Sequence, residues 1–501
     1  MEPPGSSAKR RRSEKLRASK TGAITRPIVN RQEPPPPDAG HEEVEGDGID
    51  RISGLPEAIL GDIVSLLSTK EAARTKILAS QWRNIWRNAP LVLDATDLAT
   101  KGLSFKQAVR AAADEALAGK ISHIISTHQG PGCRFCISPH NLHDRPATVE
   151  AWLSSPALNN LQELDFWDNG IYGYLRLFAP APLPASTFRF SATLRVATFA
   201  RCQLLYSSVA RLHFPHLKLL GLQFVRISEG SLHTMISGCP ALECLLLQSS
   251  FGFSRVKISS SSIRSISVGA NHSIFSINMP ELQEFIIVDA PCLERLLFPQ
   301  QGMAVRVSVM AAPKLETIGS LSDGLDTFRV MFGTTTIEGL QVVNLTTVVC
   351  NVKILAVKSW HVNLDMVIDL MKCFPCLEKL YIKGCISGKM NRWHRKHRQF
   401  IKCSDISLKT IVLEDYRGTR SQVNFASFFL LNASKLESMM LKVEDRGDNE
   451  AFFEKQHGLL QMEKRASRNA QLHLSINKCR RGVHANHVRD LAITDPFECR
   501  C

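Results

Sequence analysis

The sequence has no apolar run approaching the ~18 residues that a membrane-spanning helix needs, so no membrane span is expected. It opens on a basic, polar stretch with no apolar segment behind it, which does not fit a secretory leader. The expected setting is a reducing cytoplasm or nucleus. There the 14 cysteines serve as free thiols packed like small hydrophobes, not as a disulfide framework. Phosphate-cradling Gly-Lys-Thr loops and Gly-x-Ser-x-Gly elbows are missing, and the 16 histidines are scattered without a nucleophile or carboxylate nearby in sequence. The chain is therefore expected not to be an enzyme and to need no cofactor.

Acidic residues are scarce in two places, and those places hold almost all of the net charge. Residues 1–31 carry nine Lys/Arg against two Glu, and 389–402 carry six Lys/Arg and no acid. Together they account for thirteen of the fourteen excess positive charges. The remainder is close to neutral, which argues against a nucleic-acid surface spread over a fold. A nucleic-acid-binding protein that uses the basic tail and the Lys389–Lys402 cluster is the alternative reading; Trp393 among those cations could stack on a base. The same cluster also suits a solvated loop or an acidic patch on a partner protein.

Residues 1–48 combine the basic run Lys9, Arg10, Arg11, Arg12, four consecutive prolines from Pro34 and an acidic patch at Glu42–Asp47. Such a composition cannot bury enough apolar area to offset chain entropy, so a disordered tail is expected. The basic run is a candidate nuclear import signal.

From Ile49 the texture changes. Leu55, Ile59, Ile63 and Leu66 recur at steps of three and four, with Leu60 and Leu67 beside them, and predict a helix opened by Pro56. Ser68-Thr69-Lys70-Glu71 reads as a capping box before a second helix that carries Ile77 and Leu78. Trp82, Ile85 and Trp86 share one side of a third, which Pro90 stops. A trio of short helices this small lies near the lower limit for folding alone. Its apolar surface calls for cover from the rest of the chain or from a partner.

Beyond Trp152 a phrase recurs: Pro, any residue, Leu, often Glu or Lys, then an apolar run. Its leucines are Leu217, Leu242, Leu282, Leu293, Leu315 and Leu377. Several of the steps match the 20–29-residue period of leucine-rich repeats, in which each turn gives one short parallel strand and no turn is stable alone. Others are about a multiple of it, but the steps of 25, 40, 11, 22 and 62 are irregular, and a generic parallel α/β protein is the competing architecture. Cys133-x-x-Cys136 with His140 and His143 has zinc-ligand residue types, but its span is short for a finger, and a strand followed by a turn fits it better. Cys373-x-x-Cys376 belongs to a repeat turn.

The stretch Asp50-Arg51-Ile52-Ser53-x-Leu55-Pro56-x-x-Ile59-Leu60, with Lys70-Glu71-Ala72-Ala73-Arg74-Thr75 and Trp82-Arg83-x-x-Trp86, resembles a plant-type F-box. Gln81 stands where that pattern commonly has a basic residue. Residues Leu408–Gly418, Val423–Met439 and Asp490–Phe497 are similar to the FBD region of plant F-box/leucine-rich-repeat proteins. The resemblance implies five segments: the tail 1–48, an F-box at 49–92, leucine-rich-repeat-like sequence over 93–385, a basic loop at 386–403 and an FBD-like region at 404–497. The implied fold class is α/β: a three-helix F-box, an irregular solenoid of parallel strands and an FBD-like α/β end. The implied function is that of a substrate-recognition subunit of a Skp–cullin–F-box ubiquitin ligase. Its F-box would dock on a Skp-family adaptor, joined to a cullin–RING ligase, while the repeats recruit an unidentified substrate protein. Leu55, Pro56, Ile59, Leu60, Ile63 and Leu66 match the positions that bury against the adaptor, and Ile77, Leu78 and Trp82 fit supporting or contact roles.

Overall fold

A computed structural model of the chain describes residues 52, 54–99, 107–167, 180–209, 212–269, 279–299, 305–323, 328–386, 406–444, 449–476 and 485–498. The basic run Lys9–Arg12 and the Lys389–Lys402 cluster lie outside the described residues. No helix among the described residues is long and apolar enough to cross a membrane.

Three helices form the first module: α1 (Glu57–Ser65), α2 (Thr69–Arg74) and α3 (Ser80–Asn88). Pro56 sits just ahead of α1, where its missing N–H costs nothing, and its carbonyl accepts the Leu60 amide. The Ser68–Glu71 capping box is present: the Ser68 hydroxyl accepts the Glu71 amide while the Glu71 carboxylate accepts the Ser68 amide. Helix α3 buries Trp82, Ile85 and Trp86 and ends just before Pro90. A one-turn 3-10 segment, Thr75–Ile77, links α2 to α3.

Next comes a sheet of fourteen parallel strands, from Leu91–Asp94 at one edge to Gln471–Ile476 at the other. The Pro-x-Leu phrase is the turn that feeds its strands. The amide of Leu217, Leu242, Leu293, Leu315 and Leu377 each donates to the carbonyl three residues earlier, with Pro at the second turn position, where its fixed φ fits. These five leucines are at most 2% exposed. The residue after each leucine then bonds to the preceding repeat, as Glu243 N–H does to the Lys218 carbonyl and Glu378 N–H to the Lys353 carbonyl.

Leu282 explains the steps of 40 and 11. Its phrase opens Glu284–Asp289, a strand of a second, six-stranded sheet that runs beside the middle repeats. There the chain returns between main-sheet strands through Arg255–Ser259, Glu284–Asp289, Arg306–Val309 and Arg329–Phe332, all in parallel. Elsewhere helices make the return, among them Glu229–Ser237, Leu364–Cys373 and Arg420–Asn432. The strands Thr410–Glu414, Ser438–Val443 and Gln471–Ile476 continue the main sheet without a break, so the FBD-like region extends the repeats.

Side chains alternate across this sheet. Leu220, Leu222, Leu245 and Leu247 join the main core between sheet and return limbs. Val196, Cys244, Leu246, Leu297 and Ala356 point to the other, outer face and form a second apolar cluster.

Candidate functional site

Two surfaces stand out. The first lies on the helical module. Helix α1 carries two apolar stripes one residue out of phase, about 100° apart around the axis. One stripe, Leu60 and Val64, packs with Ala72, Trp82, Ile85, Trp86 and Ala89. The other, Leu55, Ile59, Ile63 and Leu66, faces away from that cluster and is exposed, with Leu66 at 86%. Ile77 at 84% and Leu78 at 66% add to it from the following turn, and Pro56 is exposed. Six of the sixteen exposed large hydrophobic residues among those described fall within 55–78, so the apolar surface is concentrated there.

Leu60, expected to bury against the adaptor, lies instead in the module's own core, and Trp82 takes the supporting place open to it. Leu60 is 1% exposed and Trp82 is 6% exposed; both are core, because α1 and α3 close on each other along that side. Seven of the expected nine remain at the surface.

The buried side of the module is sealed by the first repeats. The Thr69 hydroxyl donates to the Val92 carbonyl and accepts the Asp94 amide, and the Arg87 guanidinium donates to the Thr127 carbonyl. His128 Nε2 lies 2.8 Å from the Ala89 carbonyl, and its ring meets Trp86 edge-on at 5.3 Å. Burial pushes the His128 imidazole below its ordinary pKa, and Lys76 adds to the shift. The Lys76 ammonium lies over the Trp86 ring at 3.9 Å. The module is thus anchored on one side and, among the described residues, uncovered on the other.

The second surface is the outer face of the sheet, crossed by residues 485–498. The 3-10 turn Val488–Ala492 places Val488 and Leu491, both fully buried, on Val196, Leu246 and Leu297. Gly221 permits this approach: a Cβ there would lie 3.3 Å from that of Val488. His487 Nε2 reaches the Thr198 hydroxyl at 3.0 Å and Asp165 at 3.3 Å, while its Nδ1 accepts the Arg489 amide. Arg489 also pairs with Glu163 and Asp165. Asp165 is 0% exposed; burial alone would raise its carboxyl, yet hydrogen bonding to His487 and the charges of Arg489 and Arg134 hold it below the ordinary carboxylate range. At the far end Asp495 accepts from Lys379 at 3.0 Å and from the Tyr381 hydroxyl at 2.9 Å, and Phe497 packs against Tyr381. The sequence signalled Asp490–Phe497 only as a resemblance; nothing local reveals that it lies on strands some 100 to 330 residues earlier.

Cys133 and Cys136 lie on the strand Gly132–Ile137, and His140 and His143 on the short helix that follows. Burial pushes the Cys136 thiol well above its ordinary pKa, helped by Asp94 and Asp165. Among the described residues no group of three or more His, Cys, Asp or Glu is placed to hold a metal ion. Cys373 is buried at a helix end and Cys376 exposed in the next turn.

The comparisons agree with this architecture. The family described as FBD-associated F-box protein At5g56370, LRR repeats, matches residues 149–382, and the family described as FBD matches 396–441. An F-box/FBD/LRR-repeat protein of Arabidopsis thaliana is 25% identical over 444 residues, 82% of this chain and 92% of the relative. F-box/LRR-repeat protein 13 of the same plant is 22% identical over 81% of this chain and 92% of its own length. A further Arabidopsis thaliana F-box/LRR-repeat protein is 23% identical over 80% of this chain and 91% of its own.

Proposed function

The chain is an F-box/LRR-repeat protein with an FBD-like C-terminal region, and from that premise we propose that it is the substrate-recognition subunit of a Skp–cullin–F-box ubiquitin ligase. The observation that carries this reading is the bare stripe of α1. Leu55, Ile59, Ile63 and Leu66, with Ile77 and Leu78, offer an apolar surface that no part of the described chain covers, flanked by a module already anchored from behind. A Skp-family adaptor is the partner such a face fits, and it brings in the cullin–RING ligase. Apolar anchors of this kind each contribute about 2 kcal/mol at helix-packing interfaces.

The repeats then hold a target protein, and this chain supplies proximity without bond-making chemistry of its own. Work in the nucleus or cytoplasm is consistent with the basic run Lys9–Arg12. The test is co-purification of a Skp-family adaptor with the full chain and with Leu55→Ala/Pro56→Ala. Both positions are exposed, so the variant keeps its fold and is expected to lose the adaptor. Undiminished capture by the folded variant overturns the proposal.

A further inference from the structure

Residues 485–498 touch the outer face of the sheet in the way a bound peptide would. We propose that this face is a binding groove for a short segment of a partner protein, ordered basic, apolar, acidic and aromatic, and that residues 485–498 are its resident occupant, which the partner replaces. That this partner is the target for ubiquitination rests on the reading above; the groove and its occupant do not.

The groove has a polarity. At one end stand Asp94, Glu163 and Asp165, with Arg134 as the sheet's own cation within 3.2 Å of Asp94 and 3.5 Å of Asp165. Three carboxylates against one guanidinium leave negative charge to be met from above, and Arg489 meets part of it. In the middle the face is apolar, and Val488 and Leu491 fill it. At the other end Lys379 and the Tyr381 hydroxyl hold a carboxylate, and the Tyr381 ring packs an aromatic side chain 5.6 Å away. Between these side-chain pockets, two sheet residues hold backbone: Gln223 donates to the Asn486 carbonyl at 2.7 Å and Arg295 to the Leu491 carbonyl at 3.2 Å. Contacts to backbone carbonyls accept any sequence, whereas the three pockets read side-chain chemistry.

The segment is built to leave. It adds no strand to either sheet, and its regular structure is a single five-residue 3-10 turn. Lifting it breaks side-chain contacts but no ladder hydrogen bond of the sheet, whose opposite face stays closed by the main core. An opening confined to these residues would leave every ladder bond of the sheet in place.

Hydrogen exchange on the unaltered full chain tests the first half. The amides of Arg489 and Asp490 are expected to exchange at least about 100-fold faster than those of Leu220 and Leu222 in the strand beneath. The second half uses a fluorescent peptide with the sequence of residues 485–498. The full-length variant Arg489→Glu/Asp495→Lys sets like charges against Glu163 and Lys379 and so loosens the resident segment. It is expected to bind the peptide at least about tenfold more tightly than the unaltered chain, and a further Lys379→Glu is expected to cancel the gain. Exchange of the segment in step with the strand overturns the proposal, and so does a folded loosened variant that takes no peptide. Should that variant fail to fold, exchange in the unaltered chain decides alone. Adaptor capture is a separate readout: losing it would sink the ligase reading and leave the groove standing.

Discussion

Leu60 and Leu66 are the same residue type on or just beyond one helix, and their surroundings give them opposite roles. Leu60→Ala empties a filled core site and is expected to cost about 2–5 kcal/mol, read by denaturant unfolding. Leu66→Ala removes a side chain that is 86% exposed; it should leave stability within about 0.5 kcal/mol while weakening adaptor capture. The sequence could not separate the two, because both stripes of α1 are apolar and periodicity gives a helix without saying which side the next element covers. His128 makes a second prediction. Its Nε2–H suits the Ala89 carbonyl, while Nδ1 has no hydrogen-bond partner, so a charged ring would bury an unmatched donor. Its folded pKa lies below the unfolded value of 6.5, so the neutral ring's contribution is present above that value. It is lost as pH falls from 6.5 toward the depressed folded pKa, because the unfolded chain protonates first. Thermal melts over that window should fall less steeply for His128→Gln than for the unaltered chain.

Secondary-structure elements were legible where a local bond fixes them. The capping box at Ser68 was one: Ser68→Ala is expected to cost about 1 kcal/mol, measured as a shift in the denaturation midpoint. The repeat turns were legible only where Pro occupies their second position. Leu436 makes the same turn with Ser434 in that place, and Ile263 bonds instead to the Ser260 hydroxyl, so neither matches the phrase. The turn needs a backbone angle that Pro favours but other residues also adopt. The Glu or Lys after each leucine had no assigned purpose in the sequence. In the structure these residues stack repeat on repeat as ion pairs, Lys218–Glu243 at 2.7 Å, Arg264–Glu294 at 2.6 Å, Lys353–Glu316 and Lys409–Glu378 at 2.8 Å. They are exposed to water, so they set register more than they add stability.

At the scale of the whole molecule, the parallel-strand architecture was readable from the repeated phrase, and the main sheet runs on from the repeats into the FBD-like region. Thr410–Glu414 pairs along its length with Lys379–Ile386, and a single repeat cannot bury its own leucines. Residues 406–498 expressed alone are therefore expected to show no cooperative unfolding transition by circular dichroism, whereas the full chain shows one. The overlay of residues 485–498 was hidden for a related reason: its partners are set by stacking, which local sequence does not encode. Cys244 lies in the apolar cluster beneath Val488 and Leu491, and burial pushes its thiol up to about 11. Alkylating reagents require the thiolate and a path to it. The rate at which this one sulfur is modified, followed position by position with mass spectrometry, is thus a built-in stopwatch for how often the face beneath it is laid bare.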